Sequence, residues 1–393
     1  GILVRGFPTN LTVMTSDGAP LANGGGSRSF TLEQISINNV SRVEVTKVPT
    51  PATGADSMAG SVNMVSKSAF ERAGAQLRYN VNLTANGEAL TLQKKADPFE
   101  EKKYRVVPGF SFDYTLPINK NLGIVLTGMH FQAFVPQVFA NKTFTVTGTA
   151  TNASVSKPFL QTFQLQDSPQ ARIRNSGSAR VDWRVTPRSV LSAGIQSSYY
   201  EQISANNNFN AGTGNNGTPT VAGGVPFSYG DDYTIGATGR GTVSQTAGLN
   251  IRYQSLAAGD IRYRFDDGDW KIDALISKSL GKSWTRSGER GFFGGFTTAP
   301  KVPIRVTFRD INNVGPGTGE VFTNTNQKFD IYDINNYNLT GATTSTNDRR
   351  DGMLAGHLNV KRVLGFMPFP TSVQIGGARK ENWRQQVNQN QSY

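Results

Sequence analysis

The chain has no cysteine and only two histidines in 393 residues. A disulfide framework and a thiolate metal site are therefore excluded. His130 and His357 stand far apart in sequence, so no histidine metal centre is expected. Charged residues make up 17%, below the usual quarter. No apolar run approaches the length of a transmembrane helix, which leaves open a β-barrel, whose strands give a much weaker hydropathy signal. No five like charges run together, and Gly1 opens on an apolar Ile-Leu-Val rather than on a signal peptide.

What is present is glycine (42 residues), much asparagine, and a net charge of +12. A basic balance fits an anionic partner or surface. Here Lys and Arg are scattered through alternating segments, so no nucleic-acid partner is expected.

Residues 43–67, VEVTKVPTPATGADSMAGSVNMVSK, organise the first part of the chain. They read as a short strand (Val43 to Val45), a Pro/Gly turn region and a second strand from Ser61 to Ser66 closing on Lys67. Pro49 and Pro51 stop the first strand because proline lacks the ladder donor. Gly54 and Gly60 bracket the turn. Upstream lie a Gly/Ser-rich loop from Asn23 to Ser29 and a candidate short helix from Thr31 to Asn38.

From Ala73 the pattern changes to period two, the mark of a half-buried strand. Leu77, Tyr79, Val81 and Leu83 alternate with polar residues, as do Phe110, Phe112, Tyr114 and Leu116, and Ala179, Val181, Trp183 and Val185. Nine such strands are predicted, near 73–85, 105–117, 122–135, 170–186, 190–204, 246–266, 270–285, 350–363 and 371–386. The links between them alternate short (117–121, 186–189, 266–269, 364–370) and long (86–104, 135–169, 205–245, 286–350). A soluble sandwich has no reason to put every long loop at one end; an outer-membrane barrel does. Trp183, Trp270, Trp284, Tyr199 and Tyr200 fall near strand ends, as interfacial girdles would. Lys278 and Lys282 fall on the apolar face of their strand, where a lysine at mid-depth in lipid costs about 2–4 kcal/mol. Either both sit near the outer interface or a bulge shifts the register.

No catalytic constellation emerges, and no cofactor or metal is expected. Asp266-Asp267-Gly268-Asp269 lacks the remaining ligands of a Ca²⁺ loop and reads as a hairpin turn. Phe209, Phe227, Tyr229, Phe292, Phe293 and Phe296 are candidate ligand-contacting loop aromatics, with self-packed loops as the alternative.

Residues 43–67 resemble the end of the plug domain of TonB-dependent outer-membrane receptors, through Glu44, Val45, Lys47, Pro49, Gly54, Gly60, Val62, Asn63, Ser66 and Lys67. Arg5-Gly6-Phe7 and the Asp17-Gly18 turn resemble two further elements of that family, while Val48 replaces its usual glycine. The resemblance implies a mainly β fold: a small α+β plug remnant (1–72) followed by antiparallel transmembrane strands of a partial β-barrel (73–393), about nine of the roughly 22 strands of such transporters. It implies a non-enzymatic receptor in the cell outer membrane that takes up a scarce ligand: a ferric siderophore, cobalamin or an oligosaccharide. Its partners would be TonB with the inner-membrane energising complex, outer-membrane lipid and lipopolysaccharide, and the ligand. On this reading the chain starts inside the plug, with the TonB box upstream. Arg5 and Glu44 are then expected to pair with inward-facing wall residues such as Arg180, Asp182 or Arg184. A passive porin or structural barrel, and a secreted β-rich adhesin or carbohydrate-binding protein, are the alternatives.

Overall fold

The computed structural model describes the chain outside residues 1–3, 5, 26–36, 49–56, 149, 289–290, 292 and 367–368. Arg5, Pro49, Pro51, Gly54, Phe292 and most of the candidate helix lie outside the described residues. The protein is mainly β, and no helix of the described residues is long and apolar enough to cross a membrane. In the N-terminal part the described helical residues form only 3-10 turns, at Thr9–Leu11, Ile37–Asn39 and Ala69–Glu71.

The N-terminal part is a four-stranded mixed sheet. Thr12–Ser16 runs parallel to Gly60–Ser66, and Val40–Thr46 flanks the latter antiparallel. Ala19–Pro20 folds back on Thr12–Ser16 through Asp17-Gly18, a two-residue link with positive φ at both positions (52° and 82°). Asp-Gly suits this link because a mirror-image turn needs both residues left-handed. Gly60 is equally constrained, at φ 135° with the Thr46 carbonyl where a Cβ would go.

Nine long strands follow as an antiparallel wall: Gln76–Thr84, Val107–Pro117, Leu122–Val135, Gln170–Thr186, Ser189–Gly212, Thr242–Asp266, Trp270–Arg286, Tyr337–Val363 and Ser372–Ser392, each paired with the next. Their order, centres and turn ends agree with the sequence reading. Four run further at the long-loop end than expected, to Gly212 and Ser392 and from Thr242 and Tyr337. Asn206, Asn208 and Asn210 carry one of these extensions, so it has no apolar alternation to mark it.

The long connections also contain structure of their own. Val138–Thr145 pairs with Phe159–Asp167, and Ile304–Arg309 is central to a small sheet with Thr234–Ile235 and Thr318–Thr323. Leu160, Val243, Ile304, Val306 and Phe308 make an apolar core there.

The wall is inside out relative to a soluble sandwich. Ile195, Ile261 and Ile276 are 68%, 52% and 56% exposed, while Arg180, Asp182 and Ser279 on the opposite face are 9%, 1% and 4% exposed. Strand pleating alone puts neighbours on opposite faces. Here the polar face is the covered one, and the N-terminal sheet lies against it.

Candidate functional site

The site is the seam between the N-terminal sheet and the wall, and Asp17 is its centre. Held left-handed at the tip of its hairpin, Asp17 accepts from the Ser66 amide (3.0 Å) and the Ser66 hydroxyl (2.5 Å) across its own sheet. It also accepts from Arg180 Nη1 (2.8 Å) on the fourth wall strand. Its backbone carbonyl accepts from Arg262 Nη1 (2.9 Å) on the sixth. One aspartate thus ties the C-terminal ends of two parallel strands of the N-terminal sheet to two wall strands.

The wall side is prepared for this. Arg180 Nε donates to Asp182 (3.1 Å), whose oxygens also accept from the Ser192 hydroxyl (2.6 Å) and from Ser68, which precedes the first wall strand (2.7 Å). Arg262 donates twice to one oxygen of Asp273 (2.9 and 2.6 Å), and His357 Nε2 lies 2.6 Å from the other. Lys67 donates to the Asn38 carbonyl (2.8 Å) and pairs with Asp113 on the second wall strand. Outside the ion pairs, the Ala22 amide donates to Ser279 (2.8 Å), Asn38 to the Gly128 carbonyl (3.0 Å), and Arg349 to the Gly25 carbonyl (3.2 Å). Gly24 is required here: a Cβ would sit 2.6 Å from the Lys282 carbonyl carbon.

Apolar contact across the seam is small. Val4, Met14, Leu21, Val62 and Met64 form the plug's own core, joined by Leu256 of the wall. Asn63 is internal glue: its carbonyl oxygen accepts from Thr15 and the Gly18 amide (both 2.9 Å), and its amide donates to Glu44 (3.0 Å).

The expectation for Glu44 is corrected. Its carboxylate takes Arg42 (2.9 Å) and Asn63, not Arg180, Asp182 or Arg184, because Val40–Thr46 is an almost fully exposed strand of the plug sheet. The hydrogen bond from Asn63 chiefly holds the Glu44 carboxyl below its ordinary pKa, against the opposing effect of burial and with a lesser contribution from Arg42. Arg184 instead lies over the Phe70 ring, 4.0 Å from its centroid. The wall residues Arg180 and Asp182 are at the seam, but their partners from before the first wall strand are Asp17 and Ser68. Gly6 has φ 76°, Phe7 is 43% exposed, and Lys47 follows the exposed strand.

The loop aromatics separate into two groups. Phe227 and Tyr229 pack on the buried Phe159 (centroids 4.9 and 5.3 Å), and the Tyr229 hydroxyl donates to the Asn152 carbonyl (3.1 Å). Phe209 packs against the loop core. Phe293 is 43% exposed with its ring edge-on to Tyr393, and Phe296 is half-buried in Gly295–Pro300. Asp266 to Asp269 form a turn, with Asp267 accepting from the Asp269 and Trp270 amides (3.2 and 2.7 Å).

Residues 1–61 match the model of the TonB-dependent receptor plug domain, which upholds the family resemblance; the match ends just before Val62 to Lys67. No curated protein matches the chain by sequence. Among solved structures, the siderophore receptor PirA from Acinetobacter baumannii is similar at 10% identity, over 100% of this chain and 71% of that one, with a TM-score of 0.26. The ferric enterobactin receptor PfeA from Pseudomonas aeruginosa is similar at 11% identity, over 95% and 64%, with a TM-score of 0.30. The ferric preacinetobactin receptor BauA from Acinetobacter baumannii is similar at 13% identity, over 99% and 54%, with a TM-score of 0.29. The chain thus spans between 54% and 71% of the length of these three receptors.

Proposed function

We propose that the chain is the plug and the adjoining wall of a TonB-dependent outer-membrane receptor that takes up a scarce ligand by energised transport. Residues 1–72 act as the C-terminal part of the plug, and residues 73–393 as barrel wall. The observation that carries this reading is the polar seam: a plug sheet fastened to the charged inner face of the wall through Asp17–Arg180, Ser68–Asp182 and Lys67–Asp113. An apolar seam would have to expose greasy surface each time the plug moved. A polar one exchanges its partners for water and for each other.

The outer face supports the location. A large contiguous apolar surface on a monomer marks a membrane or partner face, and here it forms a band opposite the charged one. A soluble adhesin would bury that band. A porin would have no use for a fastened sheet in its lumen.

TonB and its energising complex are the partners on this reading, and a ferric siderophore, cobalamin or an oligosaccharide is the ligand. Phe293, with part of its ring exposed at the long-loop end, is the loop aromatic offered for ligand contact. The plug motif residues Gly6, Phe7, Asp17, Gly18, Glu44, Lys47, Gly60, Asn63 and Lys67 act as plug structure, with Asp17 and Lys67 as its fastenings.

These 393 residues hold no cysteine, so a pair introduced among them meets no native thiol of this segment. Ala22→Cys with Ser279→Cys, placed where the Ala22 amide meets the Ser279 hydroxyl, ties plug to wall in the full-length receptor. Under oxidising conditions ligand-dependent growth should fall at least tenfold and return with reductant. Growth unaffected by a formed tether would contradict plug movement in transport.

A further inference from the structure

Lys278 and Lys282 break the apolar pattern of the outer face, and the structure settles how. The seventh wall strand pairs with both neighbours without any register shift, so no bulge turns the two lysines inward. Both project outward, alternating with the buried Ser277, Ser279 and Ser283. Arg350 stands directly opposite Lys282 on the eighth strand. Its neighbour Arg349 points the other way, to the Gly25 carbonyl of the plug. Among the described residues, none of Lys278, Lys282 and Arg350 makes a side-chain hydrogen bond or ion pair.

The surroundings of the three cations are graded. Beside and beyond Lys282, towards the long-loop end, Tyr199, Tyr253 and Trp284 form a row of rings with centroids 6.4 and 5.3 Å apart. Aromatic rows of this kind sit at the level of lipid headgroups. In the opposite direction lies an open depression of about 840 Å³ walled by Phe112, Leu126, Ile195 and Leu280, with Lys278 at its edge. Nearby acids are already engaged: Glu201 accepts from Tyr199, Asp348 from Arg286, and Glu381 pairs with Arg379. The cations therefore lack an anion, and Lys278 lies below the aromatic row, where a soluble partner does not reach.

We propose that Lys282, Arg350 and Lys278 form a binding site for an acylated, phosphate-bearing lipid of the outer leaflet. Lys282 and Arg350 hold the phosphate at the aromatic level. The acyl chains lie in the depression, and Lys278 meets the oxygen-rich linkage between headgroup and chains. The site rests on the reading of the wall as an outer-membrane barrel with its long loops outside.

The test titrates full-length receptor with bisphosphorylated lipid A, or with the same lipid enzymatically dephosphorylated, and reads bound lipid by native mass spectrometry. Wild type should prefer the phosphorylated form. Lys282→Gln with Arg350→Gln should lower its affinity about 25-fold, at about fivefold per cation, and leave the dephosphorylated lipid unchanged. Lys271→Gln, at the short-turn end, should change neither. Equal binding of the two lipids, an unaffected double variant, or lipid-free pairs of receptor bound through this face would overturn the site. Insertion is read separately, as resistance of reconstituted vesicles to carbonate extraction. A protein that is extracted refutes the barrel reading and the lipid site with it; one that stays inserted while ignoring phosphate refutes the site alone.

Discussion

Phe308 and Arg180 are both almost fully buried, at 1% and 9% exposure, yet their surroundings are opposite in kind. Phe308 sits in the long-loop layer among Leu160, Ile304, Val306 and Val321, a core of ordinary protein type. Arg180 sits in the seam between Asp17 and Asp182, with Ser66 as a third partner. An apolar core loses its free energy wherever water enters it. Ion pairs and hydrogen bonds have a cheaper alternative in water and in one another, so a polar contact can be rearranged in steps. The loop layer is built to keep one shape, and the seam to hold a shape that can be given up.

The comparison can be broken first in the loop layer. Phe308→Ala removes a fully buried ring and should destabilise that layer by about 3–5 kcal/mol. Limited proteolysis should then cut within 295–323 while plug peptides keep their protection. Loss of plug protection as well would show that the two regions are one cooperative unit.

In the seam, Asp17→Ala removes two bonds to Ser66 and leaves Arg180 short of an acceptor, while the backbone carbonyl that Arg262 uses remains. Breaking one partner of a buried pair costs about 3 kcal/mol at the low end. Hydrogen exchange should show faster opening of Thr12–Ser16 and Gly60–Ser66 with the wall strands unchanged.

A sharper variant separates stability from movement. Lys67→Met with Asp113→Leu replaces a half-buried ion pair by apolar contact, which is often neutral or stabilising. The thermal midpoint should hold or rise, while ligand uptake falls severalfold because the new contact no longer exchanges with water. Uptake equal to wild type would deny that polarity of the seam matters for movement.

Glu44→Gln should have the smallest effect, under about 1 kcal/mol, since Glu44 and Arg42 are a surface pair. Its folded pKa lies below the ordinary value, so its contribution is present above the unfolded pKa of about 4.3. It is lost as pH falls through the folded pKa. The wild-type and Glu44→Gln stabilities should therefore converge only in acid.

The wall was legible in the sequence because strand pleating writes itself as period two: Leu77 to Leu83 and Val181 to Val185 state both element and face. The short turns were legible from residues that accept positive φ, as at Asp17-Gly18 and Gly268. The long connections were legible only as lengths, since Asn206 to Asn210 and the all-buried run from Ile304 to Phe308 lack alternation. The seam was half legible. Arg180 and Asp182 stand out as charges on one face of a strand, but their partners depend on how a hairpin tip 163 residues away meets that strand. Glu44 drew attention by its place in the motif, whereas Asp17, in the same motif family, makes the connection. Nothing local to either residue distinguishes them.

The most direct measurement is hydrogen exchange on the full-length receptor in a bilayer across a series of low urea concentrations. A seam that can be given up predicts that amides of Thr12–Ser16, Val40–Thr46 and Gly60–Ser66 lose protection together, at urea concentrations that leave Gln170–Thr186 and Trp270–Arg286 fully protected. Simultaneous loss in plug and wall would contradict it, and would make the plug a fixed part of the barrel.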